Sequence, residues 1–304
     1  MKGKSLISIN DLTKEDFLRI IDLAEKYQNN SKEYENKLIG KIVALLFFEP
    51  STRTRLSFET AVLKMGGKVI GFDDPSSSSV QKGESLKDTI LTISQYCDLI
   101  IIRHPLEGSA RWASEVTTIP VINAGDGSNQ HPTQCLLDLY SIKKTQNTLE
   151  NLSIMLVGDL KYSRTVHSLI MALAHFNPTF YLISPNELKL PFEYKMFLKE
   201  RSIRYYESSN VNDFIDLVDI MYVTRVQRER FSDPVEYEKV KNSYVIKSDL
   251  LVNTKNNLRI LHPLPRVNEI SEDVDFTDKA YYFQQALNGV YVRMALISLI
   301  FDLV

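Results

Sequence analysis

The chain has 304 residues, 44% of them hydrophobic and 24% charged, with a formal net charge of −2. That length allows about two domains with real cores, and the composition is that of an ordinary globular protein. The charge gives no reason to expect nucleic-acid or anionic-membrane binding, and any positive potential has to be local. After Met1 no signal peptide is visible and no run approaches the ~18 apolar residues of a membrane span, so a cytoplasmic protein is expected. Cys97 and Cys135 lack zinc-ligand spacing and are expected as buried thiols in apolar helical surroundings.

In chain order, a helix is expected over 14–28 and a buried strand over 41–48. Glu49-Pro50 then leads into Ser51-Thr52-Arg53-Thr54-Arg55 and a helix over 52–65, whose apolar residues recur at helical spacing. A helix start carries unpaired N–H groups and a positive dipole end. Three hydroxyls and two guanidinium groups there suit a phosphate or similar dianion. The rival reading, an N-cap followed by a solvated basic turn, has to bear the repulsion of two arginines beside a positive helix end.

A strand over 67–72 is followed by the serine-rich loop 73–84 and a helix over 85–96, capped by Ser85 with Asp88 three residues on. The loop reads either as a solvated connection or as an arm carrying Lys82 over an anionic ligand. The strand 98–102 ends in Arg103-His104-Pro105, and a helix is expected over 107–115. The strand 119–122 runs through Asn123-Ala124-Gly125-Asp126-Gly127-Ser128-Asn129-Gln130-His131-Pro132-Thr133-Gln134 into a helix over 132–145. Ligands gather at the carboxyl ends of parallel strands, which puts the 51–55 turn, Arg103 and His131 on one edge. His131 and Gln134 stand three apart and share a face. A lone histidine at a helix start usually caps or packs; the convergence of three strand-end loops favours function here.

The polar run 143–148 marks a junction. Beyond it, strands are expected at 153–157, 180–183, 218–223, 244–246 and 258–262, with helices at 163–175 and 187–200. The segment 284–304 is apolar at helical spacing through Leu287, Val290, Tyr291, Met294, Leu296, Ile297 and Ile300. The fold class is therefore α/β, two domains, each a parallel sheet flanked by helices, with the C-terminal helix packing back on the first. Their expected bounds are 1–146 with 285–304, and 147–284.

In the second half, Gly158-Asp159-Leu160-Lys161-Tyr162-Ser163-Arg164 has one glycine where a dinucleotide fingerprint needs three. Arg164 reads as an exposed helix residue or as a carboxylate clamp. The run Thr224-Arg225-Val226-Gln227-Arg228-Glu229-Arg230 reads mostly as a solvated face, with Arg225 nearest the strand end. His262-Pro263-Leu264-Pro265-Arg266 has two prolines, hence few free donors and a stiff loop suited to presenting carbonyl groups. No paired carboxylates, Ser-His-Asp set or metal cluster emerges. The surplus of arginines, with hydroxyls, one histidine and one glutamine, suits a phosphate in one half and carboxylates in the other. It needs no cofactor or metal.

These motifs, in this order and over nearly the whole length, resemble the aspartate carbamoyltransferase catalytic chains of the carbamoyltransferase family. The 51–55 turn is similar to their carbamoyl-phosphate motif. Ornithine carbamoyltransferases usually carry a cysteine where Pro263 stands and a Ser-Met-Gly signature for ornithine, whereas Arg225-Val226-Gln227 stands where aspartate carbamoyltransferases hold a substrate carboxylate. Arg225 would also repel the ornithine cation. An inactive, trimeric scaffold of the same family is the alternative from another class.

The resemblance implies that Ser51, Thr52, Arg53, Thr54 and Arg103 hold the phosphate and that Thr54, Arg103 and His131 polarise the carbamoyl oxygen. The carbamoyl amide would meet Gln134 and the carbonyls of Leu264 and Pro265, with the Leu264–Pro265 bond expected cis. Arg164 would take the α-carboxylate of aspartate, and Arg225 with Gln227 the β-carboxylate. A neighbouring subunit of a homotrimer would lend Ser78 and Lys82. A regulatory chain is a possible partner; no nucleic acid or membrane is implied. Gln81 stands where some relatives carry a second lysine, and Asn268 where an aspartate is common.

Overall fold

The computed structural model describes residues 1–74, 82–228, 231 and 233–304. The chain divides into two compact units, one of Met1–Tyr140 with Ala286–Val304, the other of Ser141–Gln285.

The first unit is built on β1 (Ile42–Phe47), β2 (Lys68–Phe72), β3 (Leu99–His104) and β4 (Val121–Asp126), all parallel in the order β2-β1-β3-β4. Between these strands lie α2 (Thr52–Lys64), α3 (Leu86–Ile93) and α4 (Ser109–Val116), preceded by α1 (Lys14–Asn29) and followed by α5 (Pro132–Gln146). β1 is an unbroken apolar run because helices cover both faces of a parallel sheet. Ala44, Leu46, Ile100 and Ile102 form one core with Ile90 of α3 and Ala110 and Ala113 of α4.

β3 and β4 run further than their apolar residues predict, through Arg103-His104 and Asn123–Asp126. Their polar groups stay in the ladder because they are satisfied inside it: Asn123 Nδ2 donates to Asp126 Oδ1 at 2.8 Å and to the Ile7 carbonyl at 2.9 Å. Cys135 is buried in α5, but Cys97 corrects the expectation: it lies half-buried in the turn after α3, not in a helix.

The second unit holds β5 (Ser153–Val157), β6 (Thr179–Ile183), β7 (Arg204–Ser208), β8 (Ile220–Val223) and β9 (Arg259–Leu261), parallel in the order β7-β6-β5-β8-β9. Its helices are α6 (Arg164–Leu173), α7 (Phe192–Glu200) and α8 (Pro234–Val240). β7, with the sequence RYYES, is an edge strand; its charged residues hid it from an apolar pattern. α8 was also missed, although Asp233 caps it and Pro234 occupies its first turn.

The expected strand 244–246 is not one. Ile246 forms a single bridge to Ile270, donating to the Glu269 carbonyl and accepting from the Ser271 N–H at 2.9 Å each. Its one partner, Ile270, belongs to neither sheet, so the bridge stands outside both.

The last helix, α9 (Tyr282–Phe301), counts with the second unit up to Gln285 and with the first from Ala286 onward. It packs on the first domain, as expected from its apolar spacing. Almost every residue from Asn288 to Ile300 is buried, whereas Leu287 is half exposed, against its expected packing role. Gly3 N–H donates to the Ile300 carbonyl at 2.9 Å, and Tyr27 of α1 hydrogen-bonds Ser298. No helix among the described residues is long and apolar enough to cross a membrane.

Candidate active site

In each sheet the chain order reverses at one place, between β1 and β3 in the first and between β5 and β8 in the second. The carboxyl ends flanking such a reversal diverge and leave a crevice where ligands bind. The 51–55 turn and Arg103 stand at the first reversal, with His131 and Gln134 after the adjoining strand β4; Arg164, Arg225 and Gln227 stand at the second, with Leu264 and Pro265 after the adjoining strand β9.

In the first unit, the turn after β1 opens α2. Ser51 is the N-cap, yet its hydroxyl makes no capping bond onto the helix. The first N–H groups of α2 are thus not blocked by their own cap. Thr52 and Arg53 are exposed and Ser51 is half-buried, while Thr54 is 7% exposed. Arg103 sits level with Phe47 across the ladder, and the Phe48 N–H donates to its carbonyl at 2.8 Å. Its buried guanidinium donates to the Ala124 carbonyl at 3.2 Å and to Glu49 Oε1 at 2.9 Å. His131, 5% exposed, directly precedes α5, with Nε2 3.5 Å from Thr54 Oγ1. Thr54, Arg103 and His131 are therefore brought to one edge. Gln134 follows in the first turn of α5, half-buried, and donates from Nε2 to Asp138 Oδ1 at 2.8 Å.

Arg55 is used otherwise, as a partner of Glu59 at 3.4 Å and Asp73 at 3.6 Å. Lys82 is exposed, four residues before α3, which Ser85 caps through the Asp88 N–H as expected. Ser78 and Gln81 lie outside the described residues.

In the second unit, Arg164 opens α6 after β5, half-buried, and Arg225 and Gln227 follow β8, also half-buried. Gly158 has φ +113°, and a Cβ there would lie 2.3 Å from the Thr224 carbonyl, so only glycine lets the two strand ends approach this closely. Asp159, completely buried, binds the loop after β5: its Oδ1 accepts from the N–H groups of Lys161 at 3.1 Å and Tyr162 at 2.9 Å. Burial pushes its pKa up against these bonds and one from the Gln227 backbone.

The 262–266 loop is held from within. The Leu264–Pro265 bond is cis, as expected, and Leu264 has φ +56°, a conformation that costs leucine about 1–2 kcal/mol. The Leu264 N–H donates to His262 Nδ1 at 2.7 Å, and His262 Nε2 lies 2.7 Å from Glu269 Oε1. His262 is therefore the neutral Nε2–H tautomer. Leu264 is half-buried and Pro265 exposed. Asn268, in place of the more common aspartate, bonds Asn242 through its side chain.

Sequence reasoning passed over Glu49, Asp126, Asp138, Asp159, His262 and Glu269, which orient the expected site residues. Asp126, fully buried, accepts from the Gly108 and Gln130 N–H groups and from Asn123 and Asn129, fixing the loop before His131. Their common signal was a polar residue two to five positions from a candidate, which carries no weight until burial is known.

Burial lowers the pKa of His104, His167 and His262 below the usual 6.5. The unfolded chain then takes up protons before the folded one, so this stability is complete above 6.5 and is lost as pH falls through the folded values. Asp98 and Asp219, where Lys41 and Lys255 outweigh burial, stay ionised below 3.8 and add no loss in that window. The melting temperature is expected to fall by several degrees between about pH 7.5 and about pH 5. A flat melting profile across that range would contradict the account.

Each of the two parallel sheets sets cationic and hydrogen-bonding groups at the carboxyl ends of its strands, an arrangement suited to small anions. The carbamoyl-P binding domain of the aspartate/ornithine carbamoyltransferases matches residues 4–144, and their Asp/Orn binding domain matches 150–300. The chain belongs to the aspartate/ornithine carbamoyltransferase family. It is 60% identical over 298 residues to the aspartate carbamoyltransferase catalytic subunit of Parabacteroides distasonis, covering 98% of this chain and 97% of that one. With the corresponding subunit of Thermococcus kodakarensis it shares 55% over 300 residues, at 98% and 97% coverage. The catalytic subunit of M. jannaschii aspartate transcarbamoylase superposes with a TM-score of 0.92 at 52% identity, covering 98% of both chains. The Trypanosoma cruzi enzyme, solved with N-(phosphonacetyl)-L-aspartic acid, superposes with a TM-score of 0.92 at 34% identity, covering 98% of this chain and 96% of that one.

Proposed function

We propose that the protein transfers the carbamoyl group of carbamoyl phosphate to the α-amino group of L-aspartate, giving N-carbamoyl-L-aspartate and phosphate in pyrimidine biosynthesis. The observation that carries this reading is buried Thr54 and His131, 3.5 Å apart, on the same strand-end edge as buried Arg103 and beside a helix start without a side-chain cap. Ser51, Thr52, Arg53, Thr54 and Arg103 hold the phosphate. Gln134 and the carbonyls of Leu264 and Pro265 meet the carbamoyl amide. Arg164 takes the α-carboxylate of aspartate, Arg225 and Gln227 the β-carboxylate. The carbamoyl-phosphate-binding part is 1–146 with 285–304, the aspartate-binding part 147–284. The active assembly is a homotrimer in the cytoplasm, whose neighbouring subunit supplies Ser78 and Lys82.

The amine attacks the carbamoyl carbon, a C–N bond forms, and negative charge grows on the oxygen of a tetrahedral transition state. Thr54, Arg103 and His131 donate to that oxygen. For this His131 presents a protonated ring nitrogen. The C–O bond to phosphate breaks, and a phosphate oxygen takes the amine proton. Orientation of two bound anions supplies much of the acceleration, up to about 7–11 kcal/mol in favourable cases.

N-(phosphonacetyl)-L-aspartic acid, found in the T. cruzi structure, joins both substrate ends in one molecule and tests this arrangement. It is expected to compete with carbamoyl phosphate and to bind at least a hundred-fold more tightly than either substrate. Inhibition no stronger than that by aspartate would count against the reading.

A further inference from the structure

The amide of Gln134 has a fixed direction. Its Nε2 donates to Asp138 Oδ1 at 2.8 Å, one turn further along α5, and a carboxylate only accepts. Turning the amide round would set two acceptors against each other. Asp138 is completely buried, and its charge acts on the guanidinium of Arg293 in α9. Arg293 is itself buried, stacks over the Phe58 ring at 4.8 Å and donates to Ser57 Oγ at 2.9 Å. Helix α2 thus fixes the Arg293 cation of α9, whose charge bears on the carboxylate that holds the glutamine.

We propose that Asp138 is a positioning residue that sets the polarity of Gln134, leaving Oε1 as a fixed acceptor for an N–H donor on the transferred group. The site then selects carbamoyl phosphate over acyl phosphates, whose methyl group matches the amine in size but donates nothing. This rests on the reading of Gln134 as the contact to the carbamoyl amide. A methyl group leaves the Oε1 acceptor unpaired, a penalty of about 10- to 100-fold in affinity.

The test compares carbamoyl phosphate as substrate with acetyl phosphate as its competitive inhibitor. In Asp138→Asn the new side chain offers its own N–H2, and Gln134 is free to turn. The KM for carbamoyl phosphate is expected to rise about 10- to 100-fold while the Ki of acetyl phosphate stays within about two-fold, so that the preference collapses. Gln134→Ala is expected to collapse it equally, and Asp138→Asn on that background to change it no further. A purely structural role for Asp138 would weaken both ligands together.

A preserved preference in Asp138→Asn, with Gln134→Ala collapsing it, overturns the proposal alone. A preserved preference in Gln134→Ala overturns the reading of Gln134 on which the proposal rests. Should Asp138→Asn fail to fold with Arg293 left uncompensated, the same ratio is read in Asp138→Asn/Arg293→Gln, which removes both charges.

Discussion

Arg53→Ala is expected to lower kcat/KM for carbamoyl phosphate about a thousand-fold while leaving the melting temperature unchanged. Arg53 is the second residue of α2 and is exposed, so no core packing depends on it. Its charge stands where the helix dipole already favours an anion. The other arginine of the turn cannot replace it, since Arg55 is committed to Glu59 and Asp73. Arg103 is already bonded to Glu49 and Ala124. A cation that neutralises a dianion and then stabilises the departing phosphate acts most strongly in the transition state, so kcat should carry much of the loss. Near-normal kcat in a folded Arg53→Ala protein would reject the role.

Lys82→Ala is expected to lose about a hundred-fold or more in activity, and its partial rescue is the more telling result. If a neighbouring subunit lends Lys82, then Lys82→Ala chains keep intact receiving sites and Arg53→Ala chains keep intact lysines. In trimers reassembled at random from equal amounts, about one site in four combines two intact halves. Recovery to about a quarter of wild-type activity is the predicted figure. No recovery, with mixed trimers demonstrated by mass, would mean that each chain completes its own site.

Much of this was legible in the sequence, for physical reasons that also mark where legibility stopped. Buried parallel strands such as β1 and β5 announce themselves because both faces are covered and all positions but Ser153 at the start of β5 are apolar. β7 and α8 did not, because an edge strand and a surface helix answer to solvent on one side. The stretch 244–246 looked like a strand because short apolar runs do so wherever a single bridge buries them. The anion turn was readable because arginines beside a helix start are costly unless something repays them. The strand-order reversals were not, since the alternation of elements leaves strand order open. Residues that act through others, Asp138 behind Gln134 and His262 behind Leu264, depend on distances that no spacing rule supplies.

The most direct measurement offers the purified protein carbamoyl phosphate with L-aspartate or with L-ornithine and scores ureido product and phosphate. The account predicts both products in equal amounts with aspartate and neither above background with ornithine. Product with ornithine would assign the 224–227 segment to a different amine, and product with neither amine would leave a folded scaffold where an enzyme is claimed.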